Sequence, residues 1–189
     1  MAGYILMISE NRLKEATAIN GNVDPDYLLP YCRIAQKKFM ERVLGTQLFD
    51  KLKDLIEAGT VGDPGNEAYK TLLDDFIADS LTQWAFFECI PFLRYKVQNG
   101  NIYSKTSETG NALSQAEAQE LRQEVRNTAE FYQDRLISFL CANNSDYPEY
   151  SQNSGCDEIC PDTNSFYNNM NLETTLPTQT NKYKFNVNK

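Results

Sequence analysis

The sequence predicts an all-α protein: a compact bundle of about five helices, two of them long, followed by an extended irregular C-terminal tail. Three observations carry this. Apolar residues recur at three- and four-residue spacing through most of residues 10–142. Helix-start and helix-stop chemistry punctuates that pattern, at Ser9, Asp24-Pro25, Gly45-Thr46 and Ser114. From Ser145 the composition turns to Asn, Ser, Thr, Tyr and Pro, and no apolar period survives. The sequence therefore divides into a helical body, 1–144, and a tail, 145–189. A chain of 189 residues is long enough for one domain with a proper core.

Ser9 caps a short first helix whose Arg12 and Glu15 are expected to face solvent, and Asn20-Gly21-Asn22 supplies turn chemistry after it. Asp24-Pro25 restarts the chain as N-cap and first helical residue. The second helix turns Leu28, Tyr31, Cys32, Ala35, Phe39 and Val43 inward, with Pro30 a source of slight irregularity. Gly45 closes it and Thr46 caps a third helix with Leu48, Leu52, Leu55 and Ile56 inside. Gly59 through Gly65 reads as an exposed loop.

The fourth helix, from Asn66 to Val97, is the one the others pack around. Tyr69, Leu72, Leu73, Phe76 and Ile77 share one side, and Asp74, Asp75 and Asp79 read as a solvated face. From Trp84 to Leu93 the polar face almost disappears, which requires enclosure by other helices or by a partner. A membrane crossing needs about 20 apolar residues, so this run is a buried soluble helix, kinked at Pro91. Glu88 is a carboxylate inside the apolar run: either it is buried with Arg94 or Arg122 as its candidate partner, or it sits at a rim open to water. Residues 98–113 form a polar connection in which Ile102 and Tyr103 suit a short hairpin. Ser114 to Glu117 is a capping-box sequence, opening a last helix with Leu121, Val125, Thr128, Tyr132, Leu136 and Phe139 along one stripe.

Composition excludes several kinds of chemistry. The formal charge is −8, which argues against affinity for a nucleic-acid backbone or an anionic membrane surface. Histidine is absent, which removes the commonest general base and metal ligand, and no phosphate-cradling glycine motif occurs. Five scattered cysteines are not a secreted disulfide framework, and Tyr4–Ile8 is too short and lacks the basic flank of a secretory signal. Cys156 and Cys160 would need two further ligands to hold zinc, and their three-residue spacer departs from the two-residue spacer of redox motifs, so they read as an incidental pair. No catalytic, metal or cofactor site is expected.

Ser9 to Lys14, Val23-Asp24, Leu29 through Ala35, and Val43-Leu44-Gly45 with Leu48-Phe49 resemble the head-to-tail connector (adaptor) proteins of tailed bacteriophages. In that family a short opening helix precedes an acidic N-cap, a helix ends at a Leu-Gly step, and two longer helices complete a bundle. The Asn- and Tyr-rich tail and the Trp84–Leu93 run are most similar to the connector or ring proteins of crAss-like phages. The long tail and the long 98–113 connection depart from the commonest short adaptors. The resemblance implies a non-enzymatic homo-oligomeric ring, usually of twelve copies. It would dock beneath the portal protein, meet further neck and tail proteins, and let DNA pass without specific binding or membrane contact. It would be made in the bacterial host cytoplasm and reside in the virion neck. Two other classes are a helical regulator or effector that sequesters a partner helix against Trp84–Leu93, and an enzyme using a metal bound by the carboxylates, which the missing histidines disfavour.

A ring contact sets two different faces of one fold against each other. The candidates are the charged faces of the second helix (Arg33, Lys37, Lys38, Glu41) and of the last helix (Glu120, Arg122, Glu124, Arg126). The tail is expected to stay disordered until it is laid over a neighbour as an assembly strap. Its anchors would be Tyr147, Tyr150, Phe166 and Tyr167, with Tyr183, Phe185 and Val187 forming a one-sided strand. The 98–113 connection is the candidate lumen-facing loop.

Overall fold

A computed structural model describes residues 4–19, 23–93, 95–98, 101–104, 114–151 and 159–161, with 95–98 and 101–104 described by their backbone alone. The first helix, α1, spans Glu10–Ala16. Next come α2 (Pro25–Ala35) and α3 (Glu41–Ala58), joined by a π-helical turn at Gln36–Met40. The short α4 (Glu67–Thr71) passes through a second π turn, Leu72–Ile77, into α5 (Ala78–Leu93). An antiparallel hairpin of β1 (Tyr95–Gln98) and β2 (Asn101–Ser104) leads towards α6 (Gln115–Ala142). A 3-10 turn at Asn144–Asp146 then leads into α7 (Pro148–Ser151). This is the expected all-α bundle of five helical runs, with long helices at 67–93 and 115–142. The hairpin falls where Ile102 and Tyr103 suggested one.

Capping chemistry sets the helix starts. Ser9 Oγ accepts from the Arg12 N–H at 3.2 Å, and Asp24 accepts from the Asp26 N–H at 3.1 Å, with Pro25 opening α2. The capping box of α6 is reciprocal: Ser114 Oγ accepts from the Glu117 N–H, and Glu117 Oε2 accepts from the Ser114 N–H at 2.7 Å. These bonds to Ser114 hold the Glu117 carboxyl below its usual pKa. The run 25–58 is interrupted at Gly45, whose φ of 75° and ψ of 159° lie in a region that only glycine adopts readily. Gly59 stops α3 in the left-handed conformation.

The core is built round α5, which packs against α6, α2 and α1. Leu81, Trp84, Ala85, Phe86, Cys89 and Ile90 are buried, so the apolar run is enclosed by the chain's own helices. Trp84 stacks on Phe39 with ring centroids 3.8 Å apart, and Phe76 stacks on Phe139 at 3.9 Å. Burying one such side chain contributes roughly 1.5–3 kcal/mol, and an aromatic pair adds about 0.5–1.5 kcal/mol.

Several expectations need correction. The fourth helix ends at Leu93 and not at Val97. Pro91 lies in its last turn, and the irregularity of this helix falls instead at the π turn Leu72–Ile77. One added residue per turn rotates the helix beyond it, which brings both the Leu72-Leu73 pair and the Ile77-Ala78 pair to the core. The inner stripe of α6 is Val125, Ala129, Gln133, Leu136, Ile137 and Leu140. Leu121 and Thr128 face outward, because the stripe drawn from large apolar residues passed over Ala129 and Gln133.

Asp79 is also more than a solvated carboxylate. It lies 3.5 Å from Arg12 and 3.8 Å from Arg135, and Arg12 also donates to the Asp74 carbonyl at 2.9 Å. Arg12 thus ties α1 to the central helix.

The boundary at 144/145 moves as well. Tyr147 and Tyr150 are core residues, 2% and 5% exposed, and not anchors for a neighbour. The Tyr147 hydroxyl donates to the Ala68 carbonyl at 2.9 Å, and its ring meets Tyr69 edge-on. The Tyr69 hydroxyl in turn donates to Glu149 Oε2 at 2.8 Å. Further on, Ile159 to Pro161 lie against the Gly45 break. Two inserted aromatics need no periodicity to join a core, so the loss of period at Ser145 did not mark the end of the fold. Phe166, Tyr167, Tyr183, Phe185 and Val187 lie outside the described residues, as does the 105–113 part of the proposed lumen loop.

Candidate subunit interface

The basic residues expected to make intersubunit contacts are at the surface, but they are engaged within the chain. Lys37 Nζ lies 2.6 Å from Glu41 Oε1, and Lys38 Nζ lies 2.7 Å from Glu88 Oε1. In both pairs the lysine side chain is more than half exposed and the carboxylate is 12% exposed. Glu41 therefore does not belong to an outer face: it is buried beneath Lys37. Glu88 is partnered by Lys38. Arg122 lies instead over the Phe87 ring, 4.1 Å from its centroid, and Arg94 is outside the described residues. The π turn at Gln36–Met40 explains the arrangement, since it carries Lys37 and Lys38 at the rim of the helix, above the two carboxylates. A buried carboxylate needs such a partner, because an uncompensated one costs several kcal/mol.

Arg33 stands one turn earlier, its guanidinium 4.1 Å from the centre of the Tyr4 ring. This contact belongs to a larger arrangement that charge patterning did not reveal. Gln36 is wholly buried, accepts from the Met7 N–H at 2.9 Å and donates to the Ile5 carbonyl at 3.1 Å. The N-terminal segment is thereby fastened alongside α2. Between them lies an open, mainly apolar groove of about 650 Å³, lined by Tyr4, Leu6, Asp26, Leu29, Pro30, Arg33 and Ile34. Ile34 in its lining is 44% exposed; Tyr27 on the same helix is 51% exposed, and Phe92, stacked on Tyr31 at 4.9 Å, is 52% exposed. The signal in the sequence was the phase of Tyr27 and Ile34, which fall off the Leu28–Cys32–Ala35 core stripe.

On α6, Glu120 and Glu124 are exposed as expected. Arg126 is paired along the helix with Glu130 at 2.8 Å, and Arg122 is held over Phe87 with its Nε buried. The face opposite the core carries Glu117, Leu121, Glu124, Thr128 and Phe131. Leu121 is 40% and Phe131 53% exposed. The α2 face is thus apolar with a basic rim, and the α6 face is apolar with an acidic rim.

The remaining chemistry is quiet. Among the described residues no group of three or more Cys, Asp or Glu is arranged to hold a metal. No described helix is long and apolar enough to cross a membrane. Burial pushes the Cys32 thiol up to about 11 and Cys89 up to about 12. Cys141 and Cys160 are exposed, and Cys156 lies outside the described residues.

Comparison with curated proteins and with solved structures finds no match. A family model does match, over residues 40–159. That span starts at the end of the first π turn and takes in α3, the central helix, α6, the buried Tyr147 and Tyr150, and Ile159. It covers well over half of the chain, which therefore belongs to DUF6712, a family of unknown function.

Proposed function

We propose that this chain is a structural subunit of a ring in the neck of a tailed-bacteriophage particle. The ring docks below the portal, joins capsid to tail through further neck proteins, and continues the DNA channel. The observation that carries this reading is the outer face of α2. There Tyr27 and Ile34 stand exposed, Ile34 and Arg33 line an open groove, and Lys37 and Lys38 lie exposed further along the same helical run; Phe92 of α5, stacked on Tyr31 of α2, is exposed as well. Exposed aromatic and branched side chains on a rigid helix suit a docking face, and arginine is enriched at such faces. The net charge of −8 per subunit, repeated round a ring, suits a passage that duplex DNA crosses without sticking.

The regulator reading needed an open surface at Trp84–Leu93. Most of that surface is covered by α2 and α6, which leaves Phe92 as its exposed large apolar side chain.

The test is assembly with the portal protein of the same particle, read by light scattering and electron microscopy. A many-fold symmetric ring with no duplex affinity at physiological salt is expected. Ile34→Glu should reduce ring formation while leaving the thermal midpoint of the free subunit unchanged. A monomer or dimer that ignores the portal, or nanomolar duplex binding, overturns the reading.

A further inference from the structure

The exposed faces of α2 and α6 have matching lengths and opposite rims. On α2 the exposed stripe runs Tyr27, Pro30, Ile34, Lys37, from an aromatic end to a basic end. On α6 it runs Glu117, Leu121, Glu124, Thr128, Phe131, from an acidic end to an aromatic end. Tyr27 to Lys37 and Leu121 to Phe131 each span about ten residues, roughly 15 Å of helix. Within the chain these two stripes point away from the core and so away from one another: α2 and α6 each turn a different stripe towards α5.

We propose that the α2 face of one subunit takes the α6 face of a second copy of this chain, with the two helices antiparallel. This rests on the ring reading above and names the surfaces that would close it. Antiparallel packing sets Tyr27 beside Phe131, Ile34 beside Glu124 and Leu121, and the Arg33–Lys37–Lys38 rim beside Glu117, Glu120 and Glu124. Parallel packing would carry the lysines towards Arg126 and Arg135 and leave the acidic end of α6 facing Asp26. The contact is heterologous, since each copy offers α2 on one side and α6 on the other. Such a contact repeats round a closed ring, whereas a self-complementary contact stops at a dimer. The intrachain pairs do not prevent it: Lys37 and Lys38 remain more than half exposed while neutralising Glu41 and Glu88.

The experiment places a photoreactive benzoylphenylalanine at position 34 of the full chain. A mixture of isotopically light and heavy copies is assembled with the portal protein, and the cross-linked peptides are read by mass spectrometry. Links from position 34 to residues 120–131 of another copy are expected. Arg33→Glu and Glu124→Arg should each lower their yield severalfold, and the double variant should restore it. Links to position 27–38 of another copy indicate a two-fold contact and overturn the proposal. So do links within the same chain, including any to residues beyond Pro161, and so does an absence of links. A many-fold ring without the 34-to-α6 link leaves the ring reading standing and removes this pairing, whereas a monomeric chain removes both.

Discussion

Thr46 and Ile159 exchange two hydrogen bonds across 113 residues of sequence. The Thr46 N–H donates to the Ile159 carbonyl at 3.0 Å, and the Ile159 N–H donates to Thr46 Oγ1 at 2.9 Å. The pair sits at the break in the 25–58 run. Past Gly45 the first N–H groups of the resumed helix have no intrahelical acceptor, and the returning chain supplies one. Thr46 was expected as a cap for its own helix; its hydroxyl serves the distant segment of chain instead.

Among the described glycines, Gly45 should be the least replaceable. Its φ of 75° with ψ of 159° disfavours any side chain, and a Cβ would come 2.8 Å from Pro161 Cδ. Gly45→Ala is expected to cost about 2–3 kcal/mol in urea denaturation, strain and displacement of Pro161 together. Gly59→Ala, with open space around it, should cost about 1 kcal/mol.

Tyr147 tests where the domain ends. Tyr147→Ala removes a fully enclosed ring and should destabilise by about 3–5 kcal/mol. Tyr147→Phe removes the bond to the Ala68 carbonyl and should cost about 1 kcal/mol. A chain ending at Asn144 is expected to melt well below the full chain; an unchanged midpoint would restore the boundary at 144.

Lys38 and Glu88 form a pair whose loss is asymmetric. Lys38→Met leaves a largely enclosed carboxylate without its partner and should cost about 1–3 kcal/mol, and Lys38→Glu more. Adding Glu88→Gln to Lys38→Met should recover much of this. A charge reversal at Lys37 and Lys38 therefore perturbs the subunit as well as its contacts, so the cleaner interface probes are Ile34 and Arg33. Thermal midpoints of the single and double variants decide the point.

The buried thiols set an alkaline limit. Burial raises Cys32 from 9.0 to about 11 and Cys89 to about 12, and Tyr69 rises from 10.0 to about 12. Each group holds its proton more tightly in the fold than in the unfolded chain. Their contribution is complete below about pH 9 and is lost as the pH climbs from there towards about 12. The urea midpoint should fall from about pH 9 upward, and replacing both thiols with alanine should flatten the first part of that fall. At about pH 8 a thiol reagent should modify Cys141 and Cys160 quickly, and Cys32 and Cys89 only after unfolding.

Local chemistry alone determined much of this protein. Ser9, Asp24-Pro25 and the Ser114–Glu117 box announced helix starts, Gly45 and Gly59 announced stops, and the missing polar face of Trp84–Leu93 announced the enclosed helix. These features act within a few residues, so they are legible without knowing what lies opposite. Tertiary structure decided the rest. Which cation meets Glu88, why Gln36 is buried, and where the Tyr147 ring lodges all depend on residues 29 to 79 positions away. The outer stripe of α6 belongs to the same class. The phase of Tyr27 and Ile34 already set them off the core stripe of α2, but Leu121 is as apolar as its core neighbours and reads as one of them, and only the packing of α5 against α6 shows that Leu121 and Phe131 are left outside.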